Sequence, residues 1–310
     1  MTTTQKLQRI QKYSGKTQEE LARDLGVSFP TLNSWINGKS QPREKAIERI
    51  NSLYIETFGD TSIGIVVLQE KNIKLKQLQE QFSEPFLLIM SRKDLYDNLL
   101  LSLTYHTNSI EGSTFNEPEV KAVLFDDVTI PNKSVREHQE AKNHQGALGF
   151  VMRWMRDGNN KVDQAFIKHI HQILLNGIMH NAGEYRAHSV RIAGVHVPTS
   201  NYLSIEKHMS EFINMFNELK KNVLDRVEHI AQTHAKFEQI HPFSDGNGRV
   251  GRLLMLILAF KYDLAPVLIK KERKQAYYSY LEEAQIKANN TPLTSFIFDA
   301  LFEGYQLLSK

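Results

Sequence analysis

The sequence predicts an all-α protein in two unequal helical parts, with one short β-hairpin set into the larger part. Three observations carry this. Residues 1–55 read as short helices separated by tight breaks. From about Ser91 the apolar spacing is helical over residues 94–105, 134–156, 164–176, 205–219, 225–240, 248–262 and 274–287. Only SVRIAGVHV, residues 189–197, departs from it, with two β-type runs around Ala193-Gly194 that read as a hairpin. Between the two parts, residues 56–90 read as a connector. Within it the apolar, β-branched residues 63–68 suggest a strand, and the polar residues 71–81 follow.

The chain has 310 residues, 41% hydrophobic and 24% charged, ordinary values for a globular protein with a sizeable core. It contains no cysteine, which excludes disulfides, thiolate metal sites and a cysteine nucleophile. The longest apolar stretch, residues 253–260, falls far short of the ~20 residues that span a bilayer. No membrane association is therefore expected. The first residues have no apolar core of a secretion signal, so a cytoplasmic location is expected. Net charge is +3, but residues 1–55 carry nine Lys or Arg against five Asp or Glu and hold the whole excess. That asymmetry points to an anionic partner for the N-terminal part.

The breaks in that part are explicit. Thr17 precedes Gln18-Glu19-Glu20, a capping-box pattern, and Gly26 closes the helix it opens. Ser28 caps the next, Pro30 fits its first turn, and Asn37-Gly38 ends it. The spacing is that of a helix-turn-helix. The stretch TQEELARDLGVSFPTLNSWINGKSQP resembles the helix-turn-helix of phage-repressor-like regulators over about residues 5–55. The resemblance implies that Ser28, Phe29, Thr31, Asn33 and Ser34 face the major groove of duplex DNA. A small helical bundle used for protein contacts is the alternative reading of the same spacing.

The most informative segment is HPFSDGNGRVGR, His241 to Arg252. Pro242 ends the helix before it. Gly246, Asn247 and Gly248 then form a loop at the mouth of a long helix, where free amides and the helix dipole both favour an anion. Arg249 and Arg252 are three apart and share one helix face, which suits a polyphosphate. Asp245 supplies a hard oxygen ligand of the kind that holds Mg²⁺ resting on phosphate oxygens. His241 titrates near neutral pH and can take a proton from a hydroxyl. No His-Glu-x-x-His, Gly-x-Ser-x-Gly, Walker A or dinucleotide-binding pattern is present.

These twelve residues match every fixed position of the Fic-domain signature, His-x-Phe-x-(Asp/Glu)-Gly-Asn-Gly-Arg-x-x-Arg, and the resemblance extends over roughly residues 92–290. It implies a Fic-type helical domain over residues 91–310 and transfer of AMP from ATP to a protein hydroxyl. His241 would be the base, Asp245 the Mg²⁺ ligand, and Gly246, Asn247 and Gly248 the phosphate cradle. Phe243 would fix the loop. Arg249 would contact the β-phosphate and Arg252 the γ-phosphate. Val190, Arg191, Ile192, Ala193, Gly194 and Val195 would form the flap that registers a target strand, and Tyr277 and Tyr278 would border the adenine.

A second string, Thr107-Asn108-Ser109-Ile110-Glu111-Gly112, resembles the family's inhibitory motif, (Ser/Thr)-x-x-x-Glu-(Gly/Asn). By that resemblance Thr107, Glu111 and Gly112 belong to an inhibitory helix, and Glu111 restrains transfer. Three alternatives stay open on the same fold: removal of AMP, with Glu111 directing a water; a transcription regulator that only senses nucleotide; and transfer of another group, such as phosphate or UMP. The target is an unidentified protein or the chain itself. The oligomeric state, a homo-oligomer included, is not legible.

Overall fold

The computed structural model describes residues 1–158, 161–190 and 197–309. The chain divides into two compact units, residues 1–62 with 272–280, and residues 63–271 with 281–310. All regular structure among the described residues is helical.

The first unit contains α1 (Thr3–Tyr13), α2 (Gln18–Leu25), α3 (Phe29–Ile36) and α4 (Glu44–Phe58). Thr17 caps α2 in a reciprocal capping box with Glu20, and Gly26 ends it at φ 66°. Ser28 then caps α3 by accepting the amide of Thr31. Leu21, Leu25, Leu32, Trp35 and Ile36 bury the inner faces of these two helices, and Leu7, Ile10, Ile50 and Phe58 close the core from α1 and α4.

The second unit begins with α5 (Ile65–Gln81), α6 (Pro85–Ser91), α7 (Lys93–Glu111), α8 (Glu117–Phe125), α9 (Val135–Arg156) and α10 (Gln164–Leu174). It continues with α11 (Ile205–Asn217), α12 (Val223–Ile240), α13 (Asn247–Lys261), α14 (Lys274–Lys287), whose first half falls in the first unit, and α15 (Thr291–Leu308). The expected strand at residues 63–68 is instead the start of α5. Its Leu68 and Leu75, two turns apart, are the buried residues, while Ile65, Val66 and Ile73 are exposed. Lys71 fixes the helix on α15 through the carboxylate of Asp299, at 2.5 Å, and the carbonyl and hydroxyl of Ser295. Tertiary packing thus overrides the β-branched run.

Helix α13 lies at the centre, against α12, α10, α9 and α7. It is buried on nearly every side from Leu253 to Phe260, which explains why its sequence there is apolar all round. No helix among the described residues is long and apolar enough to cross a membrane. Glycine permits two close approaches here. At Gly251 a Cβ would lie 2.5 Å from a carboxyl oxygen of Glu238 on α12, and at Gly304 on α15 it would collide with the carbonyl oxygen of Pro266. The second clash is with backbone and cannot be relieved by a side-chain rotation. Gly304→Ala is therefore expected to cost about 1–3 kcal/mol by overpacking, a fall of several degrees in the thermal midpoint. A midpoint unchanged in a melting scan would show that α15 shifts freely on its support.

Candidate active site

Helix α12 ends at Ile240, where the residue before Pro242 cannot continue the helix. His241 adopts the left-handed region, φ 50° and ψ 60°, an unusual conformation for a non-glycine residue that its surroundings must hold. Arg186 does this. Its Nε donates to the carbonyl of His241 at 2.7 Å, and its Nη atoms donate to the carbonyls of His188 and Ser200, each at 2.6 Å. Its own amide donates to the carbonyl of Pro242. Arg186 is buried, and that burial depresses its pKa. One guanidinium therefore ties the loop that follows α12 to both flanks of residues 190–197. The ring Nδ1 of His241 lies 3.2 Å from the carbonyl of Glu238, which places the proton on Nδ1 and the lone pair on Nε2. Burial, opposed by that hydrogen bond, lowers the pKa of His241 below its ordinary value. The imidazole is thus neutral at pH 7, as a base requires.

The rest of the loop is equally fixed. The side chain of Asn247 closes it, accepting the amide of Phe243 and donating to the carbonyl of Phe243, both at 2.9 Å. Only the backbone of Asn247 is left to face an anion. Phe243 is fully buried and its ring stacks on His171 at 3.8 Å and 3°. His171 on α10 accepts the amide of Gly183 at Nδ1 and donates from Nε2 to the carbonyl of Asp245 at 3.0 Å. Gly246 follows at φ 77°, and a Cβ there would lie 2.6 Å from Leu175.

Charged groups gather at the start of α13. Asp245 accepts the amide of Gly246 at 2.6 Å and pairs with Arg136 at 2.8 Å and Arg249 at 3.4 Å. Burial alone would raise its pKa, but Arg249, the Gly246 amide and Arg136 together hold it below the usual carboxylate range. Arg249 is buried and meets Glu140 of α9 at 3.0 Å. The Nε of Arg252 donates to the hydroxyl of Thr107 at 2.5 Å, and its Nη2 pairs with Glu111 at 2.5 Å. Glu111 ends α7, and Gly112 caps that helix at φ 109°, a conformation that favours glycine. The carboxylate lies directly over the first turn of α13, since a Cβ at Gly248 would collide with it.

His241, Asp245, Gly246, Asn247, Gly248, Arg249 and Arg252 thus converge, and Thr107, Glu111 and Gly112, about 140 residues earlier in the chain, join them. The described residues contain no cluster of three metal-ligating side chains. A single carboxylate beside a helix N-terminus fits a Mg²⁺ that arrives on phosphate oxygens. Tyr277 and Tyr278 lie on the half of α14 grouped with the first unit, Tyr277 buried and Tyr278 half-buried. The carbonyl of Val190 accepts the hydroxyl of Thr199, whereas Arg191, Ile192, Ala193, Gly194 and Val195 lie outside the described residues. In the first unit Ser28 and Phe29 are exposed, and Thr31, Asn33 and Ser34 are half-buried. Sequence reasoning missed Arg186, His171, Arg136, Glu140 and Glu238, because each reaches the loop through the fold or lies outside the motif.

Residues 161–259 match the Fic/DOC family, and residues 14–57 match the helix-turn-helix family. The chain is 34% identical over 182 residues to protein adenylyltransferase Fic of Nematostella vectensis, which is 58% of this chain and 42% of that protein. It is 32% identical over 196 residues to the Culex quinquefasciatus protein of that name, 63% of this chain and 39% of that one. The chain thus spans less than half the length of these relatives. In structure it resembles Fic-1 of C. elegans, with a TM-score of 0.67 at 21% identity over 94% of this chain and 84% of that one. It also resembles a Fic-domain-containing signalling protein of Bacteroides thetaiotaomicron, with a TM-score of 0.63 at 22% identity over 78% and 98%.

The buried His171 gives this loop an acid sensitivity. Burial, only partly offset by its bond to Asp245, lowers its pKa to about 4. A histidine depressed below its unfolded value stabilises the fold above pH ~6.5 and loses that contribution as pH falls toward 4. His171→Asn should melt below the wild type at pH 7, and the gap should narrow as pH falls through that window. A gap constant from pH 7 to 4 would contradict a neutral, buried His171.

Proposed function

We propose that this chain, which carries a Fic/DOC domain and, before it, a helix-turn-helix domain, transfers AMP from ATP to a hydroxyl of a target protein or of itself. The observation that carries the reading is the placement of a neutral histidine and a helix-terminal anion site on one rigid six-residue loop. The target's hydroxyl oxygen attacks the α-phosphorus as the bond to pyrophosphate breaks, and Nε2 of His241 takes the hydroxyl proton. The amides of Gly246, Asn247 and Gly248 and the guanidinium groups of Arg249 and Arg252 hold the phosphates, so catalysis is mostly positioning and charge neutralisation. Asp245 would hold Mg²⁺, which neutralises phosphate charge when bound. Arg186 sets both the loop and the flanks of the flap, over which a target strand would align.

Glu111 restrains this reaction. Its carboxylate occupies the Arg252 guanidinium that a γ-phosphate would use and adds negative charge at the first turn of α13. A hydrogen bond to a charged group contributes about 1.5–3 kcal/mol. Freeing Arg252 should therefore raise transfer roughly ten- to a hundredfold. In a second reading, supported by its ion pair with Arg252, the same carboxylate would orient a water for removal of AMP.

Labelling with radioactive ATP and Mg²⁺ tests both roles. Glu111→Ala should gain auto-labelling by that factor, and adding His241→Ala should remove about 100-fold or more of it while nucleotide binding survives. Labelling that persists without His241 would sink the base assignment, and an unchanged Glu111→Ala would sink the restraint.

For the N-terminal unit the proposal is duplex DNA binding through α3, supported by its helix-turn-helix match and basic excess. In gel shifts of the full chain, affinity should fall steeply with salt, and Thr31→Ala should alter sequence preference more than general affinity. Absence of any shift at low salt would make the unit a protein-contact domain.

A further inference from the structure

Behind the imidazole of His241 sits a carboxyl group to which the transfer reaction so far assigns no task. Glu238 lies three residues before His241 on the last turn of α12 and is 8% exposed. Its Oε2 is 4.0 Å from Nδ1 of His241, the ring nitrogen other than the Nε2 proposed to take the proton. Its Oε1 is buried without a hydrogen-bond partner and faces α13, where only a glycine at position 251 leaves it room. The charged and titratable groups around it come from three elements: His234 and His241 from α12 and the loop it enters, Arg252 from α13, and Glu111 from α7. A buried carboxyl with an unsatisfied oxygen is costly. A packing role alone would be served as well by an apolar side chain.

We infer that Glu238 is a positioning residue for the transfer reaction, a proton-linked partner whose carboxylate form stabilises the imidazolium that His241 becomes on taking the target's hydroxyl proton. The inference rests on the proposed transfer activity for its kinetic consequence, and on geometry alone for the pairing. In the step, the proton moves from the hydroxyl to Nε2, the oxygen–phosphorus bond forms and pyrophosphate leaves. The Nδ1–H, already present, then carries positive charge toward Glu238, and no proton passes to the carboxyl.

Burial, with Arg252 opposing and Glu111 reinforcing, pushes the Glu238 carboxyl up to about 8. At neutral pH it is therefore largely protonated and gives the imidazolium little support. The negative charge of Glu111 is part of the reason. Glu111 thus restrains the reaction in two ways, by occupying Arg252 and by keeping Glu238 neutral. When its charge is removed, Glu238 ionises at lower pH, and a carboxylate 4.0 Å from Nδ1 then takes over the support that Glu111 gives the imidazolium from farther off.

The test is a titration of the His241 ring in the full-length protein, followed by NMR without nucleotide. The wild type should show a second inflection near pH 8, where the neighbouring carboxyl ionises. That inflection should move to lower pH in Glu111→Ala and vanish in Glu238→Gln. The comparison of wild type with Glu111→Ala decides the matter even if Glu238→Gln fails to fold. In the Glu111→Ala background, labelling should rise with pH through the same inflection. Adding Glu238→Gln should lower it roughly tenfold at the alkaline end and leave the acid end unchanged. A single inflection in the wild type, or one that survives Glu238→Gln, overturns the pairing. Loss of all labelling with the inflections intact would instead overturn the transfer activity.

Discussion

Arg252 is a cation fixed inside the protein, on a helix that begins in the core, and the arrangement around it follows from the need to pair that charge. Its side chain is 10% exposed, so an unpaired guanidinium there would carry a large desolvation cost. Thr107 and Glu111, the last turn of α7, reach it with a hydroxyl and a carboxylate. The two ligands are four residues apart and so lie on one helix face, and Gly112 ends the helix directly after them. The pairing therefore positions the end of α7 as much as α7 satisfies the charge. A phosphate that comes to the same guanidinium competes with a built contact of the fold.

The loop before the same helix start is held by contacts that do not involve Arg252. His171 stacks on Phe243 and bonds the carbonyl of Asp245, and Asn247 bonds both backbone groups of Phe243. Arg186 carries its charge into a set of carbonyls. The loop thus keeps its shape independently of what sits on Arg252. In the proposed reaction this division means that the base and the amide cradle are prepared before any nucleotide arrives. What varies is the occupant of the cationic site, and with it the charge felt by Glu238 and His241.

Much of this was legible in the sequence. The helix ends were written as Thr17, Gly26 and Ser28 in the first unit and as Pro242 and Gly246 in the second, since each has one dominant local reason to sit where it does. Residues 241–252 could be read as one segment because its parts are contiguous, and the fold brings them together at the start of α13. The β-branched residues 63–68 misled, since their helical state depends on Lys71 reaching Asp299 and Ser295, partners more than 220 residues away. Arg186 and His171 were hidden for a similar reason. Their contacts with the loop span 55 and 74 residues and leave no periodic trace. Glu238 was hidden differently. It reads as one more polar residue of a helix until Gly251 shows how closely α13 approaches it.

The central claim is that Glu111 stands on Arg252 where a γ-phosphate would lie, and nucleotide affinity tests it more directly than turnover. Calorimetric titration of ATP and ADP, with Mg²⁺ held constant, would compare the wild type with Glu111→Ala. The account predicts that removing the carboxylate tightens ATP by clearly more than ADP, because only ATP brings the phosphate that takes its place. Equal tightening of both nucleotides, or none, would contradict it.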